Sequence, residues 1–210
     1  MLPHMHTAIN KNASDQTVAN WITEKLVGAL AAAPRAPIAI SVPGGSTPFP
    51  IFADLVKRDL DWSRISVWPG DDRIVPEDNP ASNVGRIRAI LEPAGANVVA
   101  LDKRAKPPHF ALVWLGMGAD GHVASLFPNT DPHGDDPRRL IRITPDPLPP
   151  EAPFDRLSLT IPALVNSDAL MFVIRGADKR ALFEAAAKGA NDLPIARLLK
   201  AWGKQVTCFT

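Results

Sequence analysis

Between Ser14 and Ala33, apolar residues recur at Val18, Trp21, Ile22, Leu26, Ala29, Leu30 and Ala33. This spacing predicts a helix, with Ser14 or Asp15 as its N-cap and Pro34 at its end. The period then changes. Ile38–Val42 is a short apolar run between Pro37 and Pro43, which suits a buried strand, and Pro43–Pro48 reads as a turn. Helical spacing resumes from Phe49 to Lys57. Ile65–Trp68 is a second buried strand running into a polar loop, Asp71-Asp72-Arg73, and Asn83–Leu91 reads as helix and Asn97–Leu101 as strand. Phe110–Leu115 is the strongest strand signal and leads directly into a glycine-rich bend, Gly116 to His122, with a short helix expected from Val123 to Phe127. Residues 128–153 form an irregular excursion broken by a strand at Leu140–Ile143. Strands at Arg156–Thr160, Ala169–Ile174 and Gln205–Phe209 follow, with helices at Ala177–Lys188 and Leu193–Trp202. Apolar strands alternating with helices predict an α/β fold. Its sheet is mostly parallel with helices on both faces, in a single domain over residues 1–210.

Composition narrows the function without naming it. The 210 residues carry 23 Lys plus Arg against 22 Asp plus Glu, a net charge of +1 that argues against a general polyanion binder such as a DNA-binding protein. One cysteine, Cys208, cannot close an internal disulfide, which points to a reducing compartment. Met1 to His6 lack the basic and apolar regions of a signal peptide, and the longest apolar run, Leu26–Pro34, falls short of the ~20 residues that span a bilayer. A soluble, cytoplasmic protein with no obligate protein partner is expected. Proline is the anomaly: 22 in all, eight of them between residues 128 and 153.

Ligands of open parallel sheets bind beyond the carboxyl ends of the strands. Three loops occupy such positions. In Gly44-Gly45-Ser46-Thr47, two glycines admit an anion close to the backbone, and the following helix offers free N–H groups. A plain capped turn explains the same spacing, and no Gly-Lys-Ser/Thr ending makes it a Walker loop. Gly116-x-Gly-x-x-Gly121 matches the dinucleotide fingerprint in form, but the expected helix is cut short by Pro128 and no acidic strand follows, so no nicotinamide or flavin cofactor is expected. His122 closes that bend with Asp120 two residues before it, an arrangement suited to taking a proton near neutral pH. In the acidic loop, one of Asp71 and Asp72 suits holding water or a sugar hydroxyl, and Arg73 suits stabilising developing negative charge. Arg156 and Lys179 are candidate phosphate contacts. His4, His6, His109 and His133 form no spacing with cysteine or acids that reads as zinc ligation, so no metal is expected.

Together these segments resemble the 6-phosphogluconolactonase family, within the larger group that includes glucosamine-6-phosphate deaminases. The resemblance is carried by Gly44 to Pro48, by Asp71 to Pro76 with Ser82-Asn83, by Gly116 to Pro128, by Arg156 to Thr160, and by Gly176 to Lys179. It spans nearly the whole chain, and the block from Gly116 to Pro128 is its most specific part. Departures are few: Asp72 stands where glutamate is usual, Asn129 replaces a common glycine, and Pro43 precedes the first loop.

The resemblance implies a sugar-phosphate-binding α/β fold and hydrolysis of 6-phosphogluconolactone to 6-phosphogluconate, in the oxidative pentose phosphate pathway. It makes His122 the general base, supported by Asp120, Arg73 and Asp71. Gly44, Gly45, Ser46, Thr47, Asn83, Arg156 and Lys179 would bind the substrate and its phosphate. The partner is a small sugar phosphate lactone. Two other readings compete. A deaminase would use Asp71 as an enolising base, but its relatives continue after Gly-His with Ile-Ala-Phe-Asn-Glu-Pro, and this chain has Val-Ala-Ser-Leu-Phe-Pro. A sugar-phosphate sensor would carry a helix-turn-helix region, for which the residues before Ser14 leave no room.

Overall fold

Short β-branched and aromatic runs, each bounded by proline, glycine or a polar turn, build one large sheet in the computed structural model, which describes residues 7–150 and 152–210. In chain order its strands are β1 (Thr7–Asn10), β2 (Ile38–Val42), β3 (Ile65–Pro69), β5 (Asn97–Val98), β6 (Leu112–Leu115), β9 (Leu170–Val173) and β10 (Val206–Phe209). They lie in the order β1-β10-β9-β6-β2-β3-β5, and every neighbouring pair is parallel. A second, three-stranded antiparallel sheet runs β4 (Asp71–Arg73), β8 (Arg156–Leu159), β7 (Leu140–Ile143).

Helices α1 (Asp15–Ala32), α2 (Pro48–Leu55) and α3 (Asn83–Leu91) cover one face of the large sheet. The short α4 (Ile161–Leu164), α5 (Ala177–Ala187) and α6 (Pro194–Trp202) cover the other. Alternation along a strand therefore divides two cores: Leu112 and Trp114 of β6 pack toward Leu26 and Phe52, whereas Val113 and Leu115 pack toward Phe183 and Leu199. Burial on both faces is what makes these strands read as near-continuous apolar runs.

The chain leaves β2 toward β3 and β5 on one side, then returns at β6 and proceeds outward on the other. The gap between the carboxyl ends of β2 and β6 is thus the topological switch point, where a crevice must open. The sequence expectations hold for every central strand and for the five longer helices. Three differ. Asp71–Arg73 is not a free loop but strand β4, because Asp71, Asp72 and Arg73 find a ladder in Ser158, Leu157 and Arg156. Val123–Phe127 is not helical. Val123 and Leu126 close a bridge, and Ala124 has φ 50°, since Ser125 is drawn aside by hydrogen bonds to Ser158 and Asp71. The strand expected at Asn97–Leu101 ends at Val98. The sequence reading missed β1, an edge strand of only four residues with a single large apolar side chain. Met1 to His6, including His4 and His6, lie outside the described residues.

Among the described residues no helix is long and apolar enough to cross a membrane. Cys208 is fully buried in β10, and that burial, aided by the charge of Glu184, pushes its thiol up to about 12. The folded chain therefore retains a proton that the unfolded chain releases near 9, so stability holds below that pH and declines above it. Iodoacetamide at pH 8 should leave the native chain unlabelled and label it in denaturant. Rapid labelling of the native chain would contradict this burial.

Candidate active site

A cleft of about 360 Å³ opens at the switch point. The loop after β2 supplies its first wall. Gly45 adopts φ 90°, a conformation that favours glycine, and Gly44 passes so close to Asn83 that a Cβ there would lie 2.0 Å from its Oδ1. Ser46 and Thr47 complete this wall, and α2 begins at Pro48 without a side-chain cap on its first amides. The N-terminus of α5 is also uncapped, starting at Gly176 with φ 99°, and its Lys179 lines the same cleft. By contrast Ser14 caps α1 and Ser82 caps α3. Two helix starts without side-chain caps and a lysine at one crevice suit an anion, although Pro48 and Pro50 leave α2 few N–H donors of its own.

The acidic strand forms the second wall. Asp72 is turned inward: its carboxylate accepts from the backbone N–H groups of Asn83 (2.6 Å), Arg73 (2.8 Å) and Val84 (3.0 Å), and from the Ser82 hydroxyl (3.3 Å). Burial raises its pKa, against the lowering effect of those three amides. It serves the start of α3. Asp71 and Arg73, on the opposite side of the strand, reach the cleft. Ser125, itself buried, donates to Asp71 Oδ2 at 2.5 Å. Arg73 Nη1 donates to the Ala81 carbonyl (2.8 Å) and to Asn83 Oδ1 (3.2 Å), while Asn83 Nδ2 donates to the Asp71 carbonyl (2.9 Å). Both functional side chains are thereby held.

The bend after β6 brings in His122. Its Nδ1 lies 2.6 Å from Asp120 Oδ1, which also accepts from the His122 backbone N–H at 3.1 Å. The acidic acceptor assigns the proton to Nδ1 and leaves the Nε2 lone pair available. Phe127 packs against the ring with centroids 4.9 Å apart. Gly118 is obligatory in this geometry, because a Cβ there would stand 2.2 Å from both Cε1 and Nδ1 of His122. The bend is anchored from behind, where Ile195 of α6 donates its N–H to the Gly121 carbonyl at 3.1 Å.

Of the residues singled out in the sequence, Gly44, Gly45, Ser46, Thr47, Asp71, Arg73, Asn83, His122 and Lys179 line this one cleft, and Asp120 stands behind His122. Arg156 does not line it. It is 3% exposed, donates Nη2 to the Ala152 carbonyl, and lies across the ladder from Arg73. Its pKa is lowered by burial first and by the charge of Arg73 second. Two residues were missed. Arg175, which lines the cleft, follows the carboxyl end of an apolar strand, the same positional signal that marked the three loops. Ser125 lies inside the Gly116–Pro128 block but has no role in the sequence reading, since only the tertiary turn brings it to Asp71. His109 and His133 lie elsewhere, paired with Asp168 and Asp131. Among the described residues no group of three or more His, Cys, Asp or Glu side chains is placed to hold a metal ion.

Comparison with known proteins bears on the family and the fold. A family model for glucosamine-6-phosphate isomerases/6-phosphogluconolactonase matches residues 10–107 and 94–207. A 6-phosphogluconolactonase of Neisseria meningitidis is 32% identical over 233 aligned positions, covering 97% of each chain. One from Caulobacter vibrioides is 34% identical over 200, covering 83% of this chain and 84% of its own. The crystal structure of 6-phosphogluconolactonase from Thermotoga maritima superimposes with a TM-score of 0.80 at 26% identity, over 97% of this chain and 99% of that one.

Gly118→Ala should displace the His122 ring while leaving the sheet and its cores intact. The expected result is a native thermal transition shifted by only a few degrees, with the His122 ring resonances moved. Unmoved resonances would show that the bend absorbs the methyl group.

Proposed function

The chain belongs to the glucosamine-6-phosphate isomerase/6-phosphogluconolactonase family and has the lactone-hydrolase activity of its 6-phosphogluconolactonases; we propose that His122 is the general base of that reaction. The substrate is 6-phosphogluconolactone, and the product, 6-phosphogluconate, belongs to the oxidative pentose phosphate pathway. The observation that carries the reading is the Asp120–His122 pair, 2.6 Å apart, with the histidine on a cleft wall shared with Arg73, Asp71 and two open helix ends.

The phosphate binds where the Gly44–Thr47 loop, the first turn of α5 and Lys179 meet, since charge-assisted bonds to a dianion are the strongest on offer there. Anchored at that end, the lactone ring extends toward His122. His122 Nε2 takes a proton from water as the water oxygen attacks the ring carbonyl. Asp120 stabilises the imidazolium that forms and keeps its orientation. Arg73, held by Ala81 and Asn83, faces the negative charge that develops on the carbonyl oxygen. The carbon–oxygen bond of the ring then breaks, and His122 returns its proton to the departing alkoxide. Atoms and charges balance with water as the only co-reactant. Arg156, buried and outside the cleft lining, is assigned no contact with the phosphate in this scheme.

A specific contact separates this reading from an enolising deaminase. Asp71 Oδ2 already accepts the Ser125 hydroxyl at 2.5 Å, so one of its two oxygens is engaged within the protein and is not free to reach a substrate carbon-bound proton. Asp71 is thus suited to receive a substrate hydroxyl. We further assign the activity to one domain over residues 1–210 in the cytoplasm.

Purified protein offered 6-phosphogluconolactone should hydrolyse it well above the spontaneous rate, and offered glucosamine 6-phosphate should release no ammonia. His122→Ala should lower kcat by ~10²–10⁴ with the fold retained. Turnover within a few-fold of the parent would remove His122 as the base. Lys179→Ala should chiefly raise KM, and an unchanged KM would move the phosphate elsewhere.

A further inference from the structure

The phosphate reading leaves an imbalance of charge. A sugar phosphate brings two negative charges, and Lys179 supplies one positive charge at that end of the cleft. Arg73, the cation of the acidic strand, is engaged with Ala81 and Asn83 on the opposite wall. One further cation lines the cleft. Arg175 lies two residues beyond β9, after Ile174, and one residue before the uncapped Gly176 that starts α5, and so stands beside the wall that carries Lys179.

Its guanidinium is held by the start of α1. Nη1 donates to the Ala13 carbonyl at 2.8 Å and Nη2 to Asp15 Oδ1 at 2.9 Å. A guanidinium has five N–H donors. Those two bonds leave three without an acceptor among the described residues. Asp15 is not needed to cap α1, because the Ser14 hydroxyl already accepts from the Thr17 N–H at 3.1 Å. The Arg175–Asp15 pair is partly exposed, so it contributes little to stability, and its more significant effect is to restrict where the fork can point. A fixed fork suits a phosphate better than a second mobile ammonium does, because it matches two oxygens at once.

We propose that Arg175 is a second cationic ligand of the substrate phosphate, acting with Lys179, and that Asp15 is the positioning residue that aims it. This rests on the phosphate reading above and names the residue that makes the site selective for phosphorylated over unphosphorylated lactones. It also brings the first turn of α1, distant in sequence from every loop of the cleft, into substrate recognition.

The test compares kcat/KM for 6-phosphogluconolactone and for gluconolactone, which lacks the phosphate, in the parent chain and in Arg175→Ala, Arg175→Lys, Asp15→Asn and Lys179→Ala. Losing a charge-assisted contact should lower the parent's preference for the phosphorylated lactone about ten- to a hundredfold in Arg175→Ala, through KM. Arg175→Lys should fall between, and Asp15→Asn should lower the same preference by less. Equal losses on both lactones would make Arg175 a structural tether and overturn the proposal, as would an unchanged preference in Arg175→Ala. If Lys179→Ala loses the preference and Arg175→Ala keeps it, the phosphate site stands and this proposal alone fails. A parent chain without any preference would instead remove the phosphate reading itself. Should Arg175→Ala not fold, competitive inhibition by inorganic phosphate decides between the parent and Arg175→Lys: weaker inhibition supports the proposal, and equal inhibition overturns it.

Discussion

A parallel sheet buried on both faces leaves little room for polar chemistry except at the ends of its strands. The rest of this molecule follows from that constraint. Backbone groups along β2, β6 and β9 are spent on neighbouring strands, and their side chains are spent on two cores. Where the strands end, the turns must satisfy their own hydrogen bonds, and here they do so with glycine, serine and carboxylate. At the switch point between β2 and β6 those turns diverge to opposite sides, and the gap they leave is the cleft. Its position therefore depends on topology, and its chemistry depends on four turns.

The small antiparallel sheet makes two of those turns rigid. Its strand β4 continues almost directly from β3, so Asp71 and Arg73 are held by a ladder and not by a mobile loop. Asp72 points the other way, into a nest of amides at the start of α3. Three adjacent charged residues thus divide into one that organises a helix and two that face the crevice, which is the alternation expected of a strand. Ser158 on β8 then accepts from the Ser125 N–H at 3.2 Å, so the segment after His122 is tied to the same sheet. The histidine and the acidic strand, far apart in the chain, share one support.

Much of this was legible in the sequence, for physical reasons. Strands buried on both faces announce themselves as apolar runs, and α1 carries its cap and its stripe in plain view. The cleft residues were legible because ligand sites of such sheets follow strand ends, which is a statement about position and needs no contacts. What escaped was whatever tertiary contact decides. Val123 and Leu126 have a spacing that suits a helical turn, and only the pull of Ser158 and Asp71 on Ser125 opens it. Arg156 looks like any cation at the start of a strand until the fold buries it across the ladder from Arg73. The edge strand β1 has too few apolar side chains to register in any window.

The contact between Gly44 and Asn83 has a consequence for how this site varies between related chains. The two residues occupy one volume: the asparagine amide fills the space a Cβ at position 44 would take, and from there it bonds both Arg73 and the Asp71 carbonyl. Neither position is free to drift alone. A larger residue at 44 requires a smaller one at 83, and a smaller one at 83 releases Arg73. Across a lineage the two sites are expected to covary, with the anion loop and the acidic strand inherited as a single unit.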